Sequence, residues 1–279
     1  MIDLHVHSKK SDGSLAPADL TKLALSIPLS AYALTDHDTM DGVCEAMEAA
    51  EGTDLTVIPG VELSADHNGK EIHLVGLYAD HTNEALSSYL TKFRQTRDAR
   101  NEQMCERLTA GGMSVSMEEL RAAFPDAVLT RAHFAKVLVK KGYVRSVAEC
   151  FERFLGDRCP YFIPRERIAS TDAVALLKGA GSIAVLAHPT LYHLGKEQLY
   201  DMTKTLKEAG LDALEAKYST YSATQEREMK ELAKSLSLGI SGGSDFHGDA
   251  KPDIRLGTGY GRLYIDDSIL RDLLKGRGA

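Results

Sequence analysis

His5 and His7 stand two residues apart in the opening stretch DLHVHSKKSDGS, and an Asp-Gly pair, Asp12-Gly13, follows. In a strand, residues i and i+2 point to the same face, so both imidazoles can approach one metal ion. Taken alone, this spacing also fits a pair of satisfied core or surface histidines. Other donors stand where further apolar runs end: Asp36, His37 and Asp38 in LTDHD, Glu62 in GVELS, His73 in EIHLVG, His188 in LAHP, and Asp245 with His247 in SDFHG. His5, His7, Asp12, His37, Glu62, His73, His188, Asp245 and His247 make nine N and O donors, too many for a single four-coordinate ion. They predict two or three divalent cations. A mixed imidazole and carboxylate set without thiolate suits Zn, Mn or Fe better than Ca or Cu. Burying so many ionisable groups without cations to neutralise them would be expensive.

The elements that must bring these residues together can be read from the apolar pattern. Short runs rich in Val, Ile, Leu and Tyr recur at 2–7, 31–35, 55–63, 71–78, 182–188, 212–218 and 238–243 and read as strands. Helical patterns lie between most of them. Pro17 marks one start, Ser170-Thr171 a second, and the capping box from Ser222 to Gln225 a third. Alternating strand and helix predicts parallel strands with helices outside, and the number of strands favours a closed or nearly closed α/β barrel. Strand ends in a barrel converge on one mouth, so donors far apart in sequence can meet there. Residues 82–164 break the alternation, because LSSYLTKFRQTRDARNEQMCERLTAGG, MEELRAAF, RAHFAKVLVKKG and VAECFERFL are all helical. The expected organisation is therefore a discontinuous barrel, 1–81 with 165–279, interrupted by a helical insertion at 82–164. The tail RDLLKGRGA reads as a fraying last helix.

Composition narrows the function. With 43% hydrophobic and 26% charged residues over 279 positions, the chain is an ordinary globular one, long enough for a sizeable core. It has neither a long apolar run nor a basic leader before an apolar stretch, which predicts a cytoplasmic protein without a membrane partner. Cys44, Cys105, Cys150 and Cys159 lie far apart with no C-x-x-C pair, so free thiols are expected. A net charge of −7 and the absence of Trp argue against a stable complex with long nucleic acid, which requires a basic face or a stacking platform. A short or terminal nucleotide remains compatible with both.

The order H-x-H-S with a following D-G, then T-D-H-D, P-G-V-E, E-I-H-x-V-G, A-H-P and S-D-x-H-G, resembles the PHP (polymerase and histidinol phosphatase) superfamily. It is most similar to the stand-alone metal-dependent phosphoesterases that act on nucleotides, over residues 2–80 and about 165–260. The resemblance implies a distorted seven-stranded (βα) barrel holding up to three metals. It implies that His5, His7, Glu62 and Asp245 hold one ion, that Glu62 bridges to a second held by His73 and His188, and that Asp12, His37 and His247 hold a third. Some relatives carry His where this chain has Asp12.

The activity so implied is hydrolysis of phosphate monoesters of small nucleotides, such as a nucleoside 3′,5′-bisphosphate or a mononucleotide, extending to trimming of short RNA or DNA oligonucleotides. Clustered cations lower the pKa of a bound water to about 7 and clamp phosphoryl oxygens, which suits a metal-activated hydroxide as nucleophile. His188, Asp245 and His247 are the expected catalytic residues. Arg131 and His133 in LTRAHF match a T-R-x-H element on the substrate side of the nucleotide-cleaving subgroup. Arg also binds phosphate bidentately and helix starts favour anions. Lys217 and Lys251 are weaker phosphate candidates. Asp3, Asp36 and Asp38 adjoin ligands and are candidates to orient imidazoles as hydrogen-bond acceptors. His67, His81 and His193 match no such motif and read as surface residues. Histidinol-phosphate hydrolysis and a non-catalytic metal-binding docking module are the competing readings.

Overall fold

A computed structural model of the chain describes residues 1–125, 127–156, 158–164 and 167–275. It divides into two compact units, Met1–Ser88 with Arg167–Ala279, and Tyr89–Glu166. The first unit carries strands β1 (Ile2–Val6), β2 (Ala31–Leu34), β3 (Thr56–His67), β4 (Lys70–Leu77), β5 (Ile168–Ala169), β6 (Ile183–Leu186), β7 (Ala213–Tyr218) and β8 (Gly239–Gly243). Helices α1 (Pro17–Leu25), α2 (Val43–Glu48), α7 (Ser170–Gly179), α8 (Lys196–Glu208), α9 (Ala223–Ser235) and α10 (Asp267–Lys275) belong with it. In between come α3 (Glu84–Ala110), α4 (Met117–Ala123), α5 (Arg131–Lys140) and α6 (Val147–Cys150), the last continued by a π-helical turn over Phe151–Leu155.

The strands follow the order β1, β2, β3, β4, β6, β7, β8, and short β5 pairs with β3. Just past the end of β8 the ring closes on β1. Asp245 N donates to His5 O and His7 N donates to Phe246 O, each at 2.9 Å, and Val6 bridges Phe246 in parallel. The result is a nearly closed seven-strand barrel, as the number of apolar runs predicts. Its strands β1, β2 and β6 are buried along their whole length, which is what a strand covered on both faces requires. Ile2, Leu4, Ala33, Val75, Ile183, Val185 and Ala213 pack together with Ile269 and Leu273 of α10.

One departure from the expected pattern is strand direction. β4 runs antiparallel to both β3 and β6, whereas β1–β2, β2–β3, β6–β7 and β7–β8 are parallel pairs. The cause is local: Asn68 and Gly69 between β3 and β4 have φ of 53° and 82°, the left-handed pair that closes a two-residue hairpin. Asn-Gly flanked by strand residues is a strong sequence signal for such a turn. The hairpin sends β4 back across the sheet without a crossover helix.

Helix starts follow the capping chemistry. Pro17 occupies the first turn of α1 after extended Ala16, and at α9 Ser222 Oγ accepts from Gln225 N at 3.2 Å while Gln225 Oε1 accepts from Ser222 N at 2.9 Å. The helical unit has a core of its own, in which Met104, Leu108, Leu120, Phe134, Leu138 and Leu155 are fully buried. Cys105 and Cys150 are buried there as free thiols, and Cys44 and Cys159 are free as well. Among the described residues no helix is long and apolar enough to cross a membrane. Of the tail RDLLKGRGA, residues through Lys275 form the end of α10, and 276–279 lie outside the described residues.

The seam between β8 and β1 is tight. A methyl group on Gly243 would overlap the Cβ of His5 and come within 2.7 Å of its backbone nitrogen. Gly243→Ala must therefore push β1 from β8, at the usual overpacking cost of about 1–3 kcal/mol. The expected outcome is a melting temperature lowered by roughly 3–9 °C in a thermal unfolding scan, together with weaker metal uptake because His5 moves.

Candidate metal centre

Six of the nine donors come from the ends of barrel strands or the turns just after them, Glu62 and His73 come from within β3 and β4, and Asp12 comes from the loop following β1. That loop is shaped by contact: a Cβ on Gly13 would lie 2.5 Å from His7 O and 2.8 Å from Ser8 O, so only glycine lets the DGS turn fold back. Asp12 is thereby set opposite His247, with Oδ1 3.2 Å from His247 Nε2 and 3.9 Å from His7 Nδ1.

Glu62 sits at the middle. Its Oε1 lies 3.0 Å from both His73 Nδ1 and His188 Nε2, and its Oε2 lies 3.1 Å from His37 Nδ1 and 3.2 Å from the Nε2 atoms of His5 and His7. Asp245 Oδ1 lies 3.2 Å from His7 Nε2 and 3.4 Å from His247 Nδ1. All nine predicted donors thus converge on one small region. They fall into four overlapping groups: His7, Asp12, His37 and His247; His5, His7 and Asp245; His5, Glu62 and His188; His37, Glu62 and His73. The grouping differs in detail from the partition implied by the resemblance, since His7 also joins the Asp12 group and His37 also joins Glu62.

The region suits divalent cations on its own chemistry. His5 Nε2, His7 Nε2, Glu62 Oε2 and His188 Nδ1 are buried and make no hydrogen bond. Buried polar atoms are almost always satisfied, and the Nε2 atoms of His5 and His7 face Glu62 Oε2 at 3.2 Å, where a cation would satisfy all three at once. Protons partly take that role without metal. Burial works against a charge on Glu62, yet His37, His5 and His73 hold its carboxyl well below the usual range; against the same burial, His247 and His37 lower Asp12, and Lys251 first, then His247, lower Asp245. Burial likewise disfavours imidazolium, but carboxylate partners outweigh it at three histidines. Glu62 and Glu215 raise His5 well above its ordinary value, Asp245 and Glu62 raise His7 to about 9, and Glu62 and Glu71 raise His73 to about 10. At His37 burial wins and the value falls to about 3, and it lowers His247 as well.

Several residues that build the site were not apparent in the sequence. Glu215, buried on β7, accepts from His5 Nδ1 at 3.0 Å and from His188 N at 2.7 Å. It fixes the His5 tautomer and supports His188, whose φ of 29° is strained. An acid set between the apolar residues of ALEA is the signal that marks it. Tyr192 accepts from His73 N at 2.9 Å and donates to Ala187 O at 2.7 Å, and Tyr218 donates to Asp245. Asp3, Asp36 and Asp38 are buried but hold backbone and hydroxyls rather than imidazoles. Asp3 accepts from Ser244 and Gly257, Asp36 from Ser8 and Ser11, and Asp38 from Ser64. They fix the loops that carry the ligands, because short serines beside them supply closer donors than the rings do.

The expected substrate residues fare differently. Lys217 is not brought to the donor cluster. Its Nζ donates to Tyr264 O at 2.6 Å and lies 3.6 Å from Glu226, because a register shift in β7 between Glu215 and Lys217 separates the two side chains. Lys251 is brought in, with Nζ 2.6 Å from Asp245 Oδ2. Arg131 and His133 belong to the helical unit. There Arg131 donates to Leu155 O at 3.2 Å and stacks over Phe151 and Phe162, while His133 is buried, caps α5 by accepting from Thr130 N at 2.9 Å, and packs on Phe124. His81 and His193 are exposed as expected, and half-buried His67 pairs with Ser170 Oγ at 2.9 Å.

A nearly closed barrel with imidazole and carboxylate donors gathered at its strand ends is the architecture of a metal-dependent hydrolase. The PHP domain model matches residues 3–157, and this chain belongs to the PHP domain family. It is 33% identical over 245 residues to a 5′-3′ exoribonuclease of Haemophilus influenzae, covering 88% of this chain and 89% of that one. It is 32% identical over 247 residues to a 3′,5′-nucleoside bisphosphate phosphatase of Chromobacterium violaceum, covering 88% and 87%. Among solved structures, a chain from Bifidobacterium adolescentis predicted to be a metal-dependent phosphoesterase superposes with a TM-score of 0.87 at 30% identity, covering all of this chain and 96% of that one.

Metal uptake must displace the protons that His5, His7 and His73 hold at neutral pH. Titration of metal-free protein with Mn or Zn should therefore release protons, seen as a heat that changes with the buffer's ionisation enthalpy. Apparent affinity should climb as pH rises toward about 9 to 10, the range in which His7 and His73 lose their protons. A buffer-independent heat and a flat affinity between neutral and alkaline pH would contradict this arrangement.

Proposed function

We propose that this chain, a phosphoester hydrolase of the PHP domain family, removes phosphate from small nucleotides that carry more than one phosphate, and shortens brief oligonucleotides from one end. The observation that carries this reading is the Glu62 carboxylate with five imidazole nitrogens within 3.2 Å. A bridging carboxylate is what holds adjacent cations close, and the overlapping donor groups provide for two or three. The names of the relatives from Haemophilus influenzae and Chromobacterium violaceum support a nucleotide substrate. The thiolate-free donor set supports Mn, Zn or Fe.

Divalent cations, when bound, lower the pKa of water to about 7 and neutralise charge on phosphoryl oxygens. The chain's own residues supply placement. His5, His7 and Asp245, His5, Glu62 and His188, and His7, Asp12, His37 and His247 present their donor atoms from rigid strand ends and neighbouring loops. Glu215 turns His5 so that Nε2 faces Glu62, and Asp245 O fixes His247 by accepting at 2.8 Å from Nδ1, which leaves Nε2 toward Asp12. His188, Asp245 and His247 stand nearest the chemistry in this reading, as residues that would hold the cations whose positive charge would stabilise the leaving oxygen.

The test is a phosphate-release screen with Mn, Zn and Fe supplied in turn. Its substrates are a nucleoside 3′,5′-bisphosphate, a mononucleotide, a short oligonucleotide phosphorylated at its 5′ end, and histidinol phosphate. The bisphosphate should be cleaved at least about tenfold faster than histidinol phosphate, a difference of about 1.4 kcal/mol in transition-state binding. Glu62→Gln and His188→Ala should each lower kcat on the order of 10³-fold, equivalent to about 4 kcal/mol, while the melting curve stays cooperative. A metal-replete preparation that hydrolyses none of the four substrates would overturn the proposal.

A further inference from the structure

The two carboxylate oxygens of Asp245 face different chemistry. Oδ1 lies 3.2 Å from His7 Nε2, 3.4 Å from His247 Nδ1 and 3.8 Å from His5 Nε2. Oδ2 accepts from Tyr218 OH and from Lys251 Nζ, each at 2.6 Å. The two donors reach it from separate elements. Tyr218 ends β7 and is buried, and Lys251 follows the short 3₁₀ turn Gly248–Ala250 with its side chain 38% exposed. Asp245 itself has φ of 57°, a left-handed conformation that few side chains adopt and that surrounding contacts must hold.

We propose that Tyr218 and Lys251 are positioning residues that make Asp245 a one-oxygen metal ligand, by occupying both lone pairs of Oδ2 and leaving only Oδ1 to the imidazole cluster. A carboxylate with both oxygens available can chelate a divalent cation and take up two coordination positions. Short charge-assisted and phenolic hydrogen bonds to one oxygen remove that option. A position is then left at the ion for water or a phosphoryl oxygen, the property that separates catalytic from closed structural sites. Lys251 is on this account committed to the protein rather than to substrate, which also explains why the lysine brought to the centre lies on a carboxylate. The inference rests on the metal-binding part of the proposed function, and not on the identity of the substrate.

The experiment compares wild type with Tyr218→Phe, Lys251→Met, the double variant and Lys251→Arg, each freed of metal and reloaded with Co. The visible absorption of Co is strong at four or five ligands and weak at six, so it reports how Asp245 binds. In the double variant the band should weaken, the dissociation constant for Co should fall severalfold because the freed Oδ2 adds a donor, and kcat should fall while KM stays within about twofold. Single variants should lie between, and Lys251→Arg should restore the spectrum. If the double variant shows no cooperative melt, the two single variants decide by the same readouts. An unchanged spectrum and Co affinity would overturn the proposal, even with kcat reduced, because that result would assign Lys251 to the substrate. If the spectrum shifts as expected but no phosphoester is hydrolysed even by wild type, the proposed function fails and this inference stands.

Discussion

The centre depends on one buried carboxylate. Glu62 is 1% exposed and holds five imidazole nitrogens at 3.0 to 3.2 Å, drawn from β1, from the turn after β2, from β4 and from the end of β6. A lone carboxylate in that position would be forced neutral by desolvation. Surrounded by imidazoles it stays charged, and the barrel can bury it only by bringing those strand ends together. The chemistry of the centre and the closure of the sheet are therefore one constraint.

The polar residues around the ligands follow from it. Glu215 secures His5 and the strained backbone at His188, Asp3 ties Ser244 and Gly257, and Asp36 gathers Ser8 and Ser11. Each of these acids meets several donors, which is how a buried carboxylate is kept without a cation of its own. Backbone strain collects in the same place: Asp38, His188 and Asp245 all have positive φ. Such conformations persist where neighbours over-determine them: Glu215 holds the backbone at His188, Ser64 and the Glu62 carbonyl hold Asp38, and the His5 carbonyl, Tyr218 and Lys251 hold Asp245.

Most of the donors were legible in the sequence because they are polar residues at the ends of apolar runs, and a barrel sends such ends to one mouth, whereas Glu62 and His73 stand within β3 and β4. Their supports were harder to see. Glu215 looks like any strand acid, and nothing in spacing says that Asp36 will face serines rather than a ring. Strand direction was lost for a different reason. Alternation of strand and helix suggested parallel pairing throughout, although Asn68-Gly69 carries the hairpin that turns β4 around. Lys217 and Lys251 were indistinguishable as sequence, and a register shift in β7 separates their fates. Arg131 and His133 match a substrate-side element in sequence, and in the helical unit they also meet a carbonyl, aromatic rings and a helix cap, contacts that spacing alone does not show.

The seam where Asp245 N meets His5 O has a consequence for how the molecule is made. His5 and His7 precede the strand that closes on them by more than two hundred residues along the chain. Contacts so distant along the chain are slow to form and carry a large loop-closure cost. Throughout that interval Glu62 and the early histidines have no complete enclosure and stay solvated. The ion-binding chamber is thus closed only when the segment after β8 returns to β1, and a chain cut short of Asp245 would keep most of its imidazoles and have no chamber to hold them.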